Sequence, residues 1–69
     1  MKQRQDIYQT MTAVRLEAGL TQAELAQLMR TTQSTIARLE TGGRVPTLTT
    51  LEKLAEVTGQ RLEVRFVRA

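Results

Sequence analysis

The sequence predicts a mostly α fold, four helices followed by one short strand. Three observations predict it. Apolar residues recur at helical spacing from Ile7 to Thr58, cap and stop signals divide that run, and strict alternation replaces it after Gly59. The chain has 69 residues, which is a single domain. A chain this short buries only about 60% of the surface its unfolded form exposes, so its own core is marginal. Dimerisation is one common way to add buried area.

The elements follow in order. Ile7, Met11, Val14 and Ala18 fall on one face of a first helix, and Gly19 ends it. Thr21-Gln22-Ala23-Glu24 is a capping box in which Thr21 caps a second helix and Glu24, three residues on, bonds back. Leu25, Ala26, Leu28 and Met29 supply the buried stripe of that helix. Arg30-Thr31 breaks the pattern, and Thr32 is a good N-cap for a third helix carrying Ile36 and Leu39. Gly42-Gly43 ends the third helix, and Arg44-Val45-Pro46 forms a loop. A fourth helix carries Leu48, Leu51, Leu54, Ala55 and Thr58 to a stop at Gly59. Its start is open by about two residues, because Thr47 and the pair Thr49-x-x-Glu52 offer competing caps. In the last stretch Leu62, Val64 and Phe66 alternate with Arg61, Glu63 and Arg65, as in a half-buried strand. A lone strand leaves its backbone donors and acceptors unpaired. Pairing with its own copy across a two-fold axis satisfies them, so a homodimer closed by an intermolecular ribbon is expected.

The residue inventory excludes several classes of function. There is no cysteine and no histidine, which removes disulfide staples, thiolate metal sites and imidazole ligands together. The acids show no calcium-loop spacing, so neither a metal nor a cofactor is expected. No acid–base pair or nucleophile is placed in a site, and an enzyme is not expected. The start, Met1-Lys2-Gln3-Arg4-Gln5-Asp6, lacks the apolar stretch of a signal peptide. No apolar run approaches the roughly 20 residues needed to span a bilayer, so a cytoplasmic location without a membrane partner is expected. Ten Lys+Arg against seven Asp+Glu give a net charge of +3, and arginine dominates. Arginine suits phosphate and guanine contacts better than lysine. Tyr8 and Phe66 are too few for the base-stacking platform of a single-strand binder.

The segment from Thr21 to Glu40 reads as two short helices separated by a tight turn. Where they cross, a small side chain must let the backbones approach, and Ala26 stands there. Leu25, Met29, Ile36 and Leu39 fill the wedge between these helices and the core. The outer face of the third helix is left with Gln33, Ser34, Ala37 and Arg38, short or hydrogen-bonding side chains with no bulky apolar group. A helix lying in a DNA major groove needs such a face.

Leu20-Thr21-Gln22-Ala23-Glu24-Leu25-Ala26-Gln27-Leu28, followed by Thr32-Gln33-Ser34-Thr35-Ile36-Ala37-Arg38-Leu39-Glu40-Thr41-Gly42, resembles the helix-turn-helix of the Cro/phage-repressor (XRE-type) family. The resemblance runs from about Arg15 to Gly59. It implies a four- to five-helix lambda-repressor-like domain over residues 1–60, with a dimerisation strand over 61–69. Roles carry over by position. Gln22 matches a residue that bonds a phosphate at a helix N-terminus. Gln33 and Ser34 match positions that meet bases, where a glutamine can bond adenine bidentately. Arg38 matches a further groove-facing position, able to reach a guanine or a phosphate. Thr32 and Thr35 match phosphate contacts, and Arg44 matches a position that clamps the DNA backbone. Arg15 and Glu40 match a structural ion pair tying the first helix to the end of the third.

Two departures stand out. Arg30 occupies a turn position that is usually glycine, where φ tends to be positive, and arginine adopts it at a cost of order 1 kcal/mol. At the C-terminus the family commonly has a fifth helix. The strand predicted here is similar instead to that of small antitoxins of the family, which pair C-terminal strands and repress their own operons. The resemblance therefore implies a transcriptional regulator that binds an inverted repeat of double-stranded operator DNA as a homodimer, through Leu62, Val64 and Phe66 of the strand. A cognate toxin is a further partner under this reading, and a module whose main ligand is a protein is the alternative. Lys2 and Arg4 are read as part of a disordered terminus, with an arm along the DNA backbone as the alternative.

Overall fold

The computed structural model describes residues 6–69; the Lys2 and Arg4 arm lies outside the described residues. Four helices form in order: α1 Ile7–Glu17, α2 Gln22–Met29, α3 Gln33–Thr41 and α4 Leu48–Val57. Each starts at a side-chain cap. The Asp6 carboxylate accepts from the Tyr8 backbone N–H at 2.8 Å and starts α1. The capping box of α2 is complete, since Glu24 N–H donates to Thr21 Oγ1 at 3.0 Å and Thr21 N–H to Glu24 Oε1 at 2.8 Å. Thr32 caps α3 through the Thr35 N–H, and Thr47 caps α4 through the Thr50 N–H. The open start of α4 thus resolves at Thr47, whose carbonyl already accepts from Leu51 N–H at 3.0 Å.

α2 packs on α3 and α4, and α1 packs on α3. The core between them is Met11, Leu25, Ala26, Ile36, Leu39 and Leu54, all buried, with Val14, Leu20, Met29, Leu51 and Val57 packed around it. Some members of the predicted stripes lie outside it. Leu28 is half exposed because, at 100° per residue, it stands 200° around α2 from Ala26. Ile7, Ala18 and Leu48 sit at helix ends that overhang the core, and all three are exposed.

The strand expected over residues 61–67 is not formed. Residues 60–69 carry no ladder, and no strand occurs among the described residues. A ladder needs a neighbouring backbone, and a single chain of four helices offers none. The segment after α4 carries no regular structure and leaves Val64, Phe66 and Val67 exposed, with the Phe66 ring fully in solvent. A fifth helix does not form there either.

Candidate nucleic-acid interface

The turn between α2 and α3 is built on Arg30, which adopts φ 59 and ψ 48 in the left-handed region. Its N–H reaches Ala26 O and Gln27 O, and Thr31 N–H donates to Ala26 O at 2.9 Å. These bonds close α2 and redirect the chain within two residues. Ala26 is 3% exposed beneath the crossing, so the two helix backbones approach where a larger side chain would hold them apart. Ile36 and Leu39 anchor the inner side of α3.

That anchoring decides what α3 shows to solvent. Gln33, Ser34 and Arg38 are exposed, and Ala37 is half buried between them. Glu40, the sole acid of α3, turns inward. Arg15 Nε donates to Glu40 Oε2 at 2.7 Å and Arg15 Nη2 to Oε1 at 3.0 Å, a two-pronged pair whose side chains are 11% and 6% exposed. Arg15 Nη1 also donates to Leu20 O at 2.8 Å, so one guanidinium ties α1, the α1–α2 loop and α3 together. Burial pushes the Glu40 carboxyl up, but the hydrogen bonds from Arg15 and Gln22 and the Arg15 charge outweigh it and leave Glu40 below the usual range. The Glu40 hydrogen bond raises Arg15 further above its ordinary value. With Glu40 sequestered, the outer face of α3 carries a cation and no carboxylate.

The other residues expected to contact DNA divide between the outer surface and internal bonds. Gln22 Nε2 donates to Glu40 Oε1 at 3.1 Å, so the amide is half buried at the edge of the ion pair. Nothing in the sequence around Gln22 signals this second partner, which lies 18 residues away. Thr32 Oγ1 lies 3.0 Å from Thr35 Oγ1 and 3.3 Å from Ser34 Oγ, a hydroxyl cluster over the first turn of α3. Arg44 is exposed in the loop that follows Gly42, a glycine at φ 86 with the Tyr8 ring against it. Neither Arg38 nor Arg44 enters an ion pair among the described residues. Arg44, exposed, lines instead a cavity that Thr49, Thr50 and Lys53 of α4 also line. The sequence reading had no place for the α4 residues, because only the packing of α4 brings them beside the turn.

Two capped helices, a tight turn, a buried alanine at the crossing and a polar outer helix reproduce the helix-turn-helix geometry. The helix-turn-helix family model matches residues 11–64, from within α1 to past the end of α4. The chain belongs to the helix-turn-helix family. Its motif is of the Cro/repressor (XRE) type, as the sequence predicts. No curated protein matches the chain. This helix-turn-helix protein is accordingly a DNA-binding transcription regulator. No described helix is long and apolar enough to cross a membrane.

Proposed function

We propose that this regulator is a homodimeric operator-binding repressor acting on an inverted repeat, with its own promoter as the simplest target. The observation that carries the proposal is the two-sidedness of α3, with Ile36 and Leu39 buried while Gln33, Ser34 and Arg38 face solvent free of any neighbouring carboxylate. In this role Gln33 and Ser34 read base edges, Arg38 reaches a guanine or phosphate, and Thr32, Thr35, Gln22 and Arg44 hold the backbone. Gln22 keeps its bond to Glu40 while doing so, because its amide nitrogen carries a second N–H.

The C-terminal segment supplies the second half of the proposal. Leu62 is half buried against the body, whereas Val64 and Phe66 extend uncovered, an arrangement suited to pairing with a second copy. Two recognition helices then meet half-sites about 34–36 Å apart. Occupying a promoter blocks polymerase, and a cytoplasmic, nucleoid-associated protein that acts by binding rather than catalysis follows. The uncovered Phe66 also favours a second reading in which a protein, such as the toxin of a toxin–antitoxin pair, is the principal ligand of this arm.

Selection of purified protein against a random duplex pool at moderate salt tests the proposal. Recovery of an inverted repeat with half-sites one helical turn apart is expected. Recovery of nothing above background, together with co-purification of a co-expressed neighbouring gene product, would favour the protein-ligand reading.

A further inference from the structure

The α2–α3 turn, the first turns of α3 and the N-terminal half of α4 enclose a cavity of about 240 Å³. Its floor is apolar, made by Met29, Ile36 and Leu39, and its rim carries Thr31, Arg44, Thr49 and Lys53. The cavity lies at the opposite end of α2 from Gln22.

The rim groups have little else to bind. The hydroxyls of Thr35 and Thr50 each already hydrogen-bond a cap hydroxyl, those of Thr32 and Thr47, which leaves each with part of its bonding capacity. Those of Thr31 and Thr49, both exposed, enter no hydrogen bond among the described residues. Arg44 enters no ion pair among them either. Lys53 has one acidic neighbour, Glu56 at 3.7 Å, and the two side chains are 46% and 73% exposed. An open pair of that length, in water and screened by salt, contributes little. The nearby acids of α4, Glu52 and Glu56, are exposed and do not line the cavity. Two cations and two unengaged hydroxyls line one opening that no carboxylate lines among the described residues.

The geometry points to this rim as a phosphate clamp for the DNA backbone, with Lys53 as its second cation beside Arg44 and with Thr31 and Thr49 as hydroxyl donors. A phosphodiester offers two anionic acceptor oxygens to such a set, and the apolar floor below keeps the charged groups at the mouth. The clamp rests on the operator-binding function proposed above. It sets the register of α3 from the side of α4, while Gln22 acts at the far end of α2.

Titration of a fluorescent duplex with the full chain over a series of salt concentrations tests the clamp. Losing one phosphate contact lowers the slope of log K against log salt by about 0.9. Lys53→Gln is therefore expected to weaken binding about 3- to 10-fold, equally on selected and unrelated duplexes, and to lower the slope by that amount. Glu56→Gln, which releases Lys53, is expected to tighten binding about two-fold. Neutral methylphosphonates placed along the site one at a time locate the partner, since one of them must weaken the wild-type protein clearly more than Lys53→Gln, which keeps only the Arg44 and hydroxyl contacts to that phosphate. An unchanged slope in Lys53→Gln, or the absence of any such methylphosphonate, overturns the clamp and leaves the DNA reading standing. A wild-type protein that binds no duplex at all overturns both.

Discussion

Arg30 holds a left-handed backbone that costs an L side chain about 1–2 kcal/mol, because Cβ crowds the following carbonyl oxygen. Arg30→Gly removes that crowding but frees the unfolded chain, an offset of about 0.4–1 kcal/mol. A net stabilisation of about 0.5–1 kcal/mol is expected as a higher urea midpoint with unchanged slope; a lower midpoint would contradict the strain. Glu40 is an acid whose ionisation is coupled to the fold, through its pair with Arg15. Its folded pKa lies below the ordinary carboxylate value, so its contribution is full above about pH 4.5 and is lost as pH falls through the lower folded value. Glu40→Gln should be less stable than wild type at neutral pH, and the gap should narrow as the pH drops below about 4.5 in denaturation curves. At the reading face, Gln33→Ala should cost about 1–3 kcal/mol and relax specificity at one base pair. Arg44→Ala should weaken all sequences alike, and an altered base preference would reassign that residue.

Among the elements, α4 tests how well local chemistry places a helix boundary. Thr47 and Thr49 both offer capping hydroxyls in the sequence, and the backbone chooses Thr47, which is extended at φ −89 and ψ 166. Thr47→Ala should therefore cost about 1 kcal/mol of stability, whereas Thr49→Ala should leave the urea midpoint nearly unchanged. Equal losses from the two would place the boundary elsewhere. For α2 and α3 the same cap logic identified Thr21 and Thr32 correctly, because a cap bond spans only two or three residues. The hydrophobic stripes were less legible. Periodicity assigns Leu28 and Leu48 inward, yet both are largely exposed, since short helices bury only the arc that a neighbour covers.

For the whole molecule, the C-terminal segment, which carries no regular structure, is where the proposed dimer is tested. Its alternation of Leu62, Val64 and Phe66 is strand-like, but its backbone finds no partner inside one chain. Removing residues 61–69 is expected to give a monomer in sedimentation, with a folded helical domain and weakened operator binding. Loss of the second half-site contact would account for the weakening. A dimer that survives the truncation would refute the ribbon.

The sequence left the cap of α4 open and did not assign Asp6 to α1, but by itself determined the four helices, the caps of α2 and α3, the Arg30 turn and the membership of α3 in a helix-turn-helix. Each rests on periodicity or on hydrogen bonds reaching no more than one helical turn. Only the tertiary structure decided that Gln22 bonds to Glu40 and that Lys53 and Thr49 line one cavity with Arg44, whereas the Arg15–Glu40 pair that withdraws Glu40 from the reading face was already implied by the family resemblance. Those contacts join different helices, and the angle at which buried side chains such as Ala26, Ile36 and Leu39 let the helices cross sets them. Local propensity carries no information about that angle.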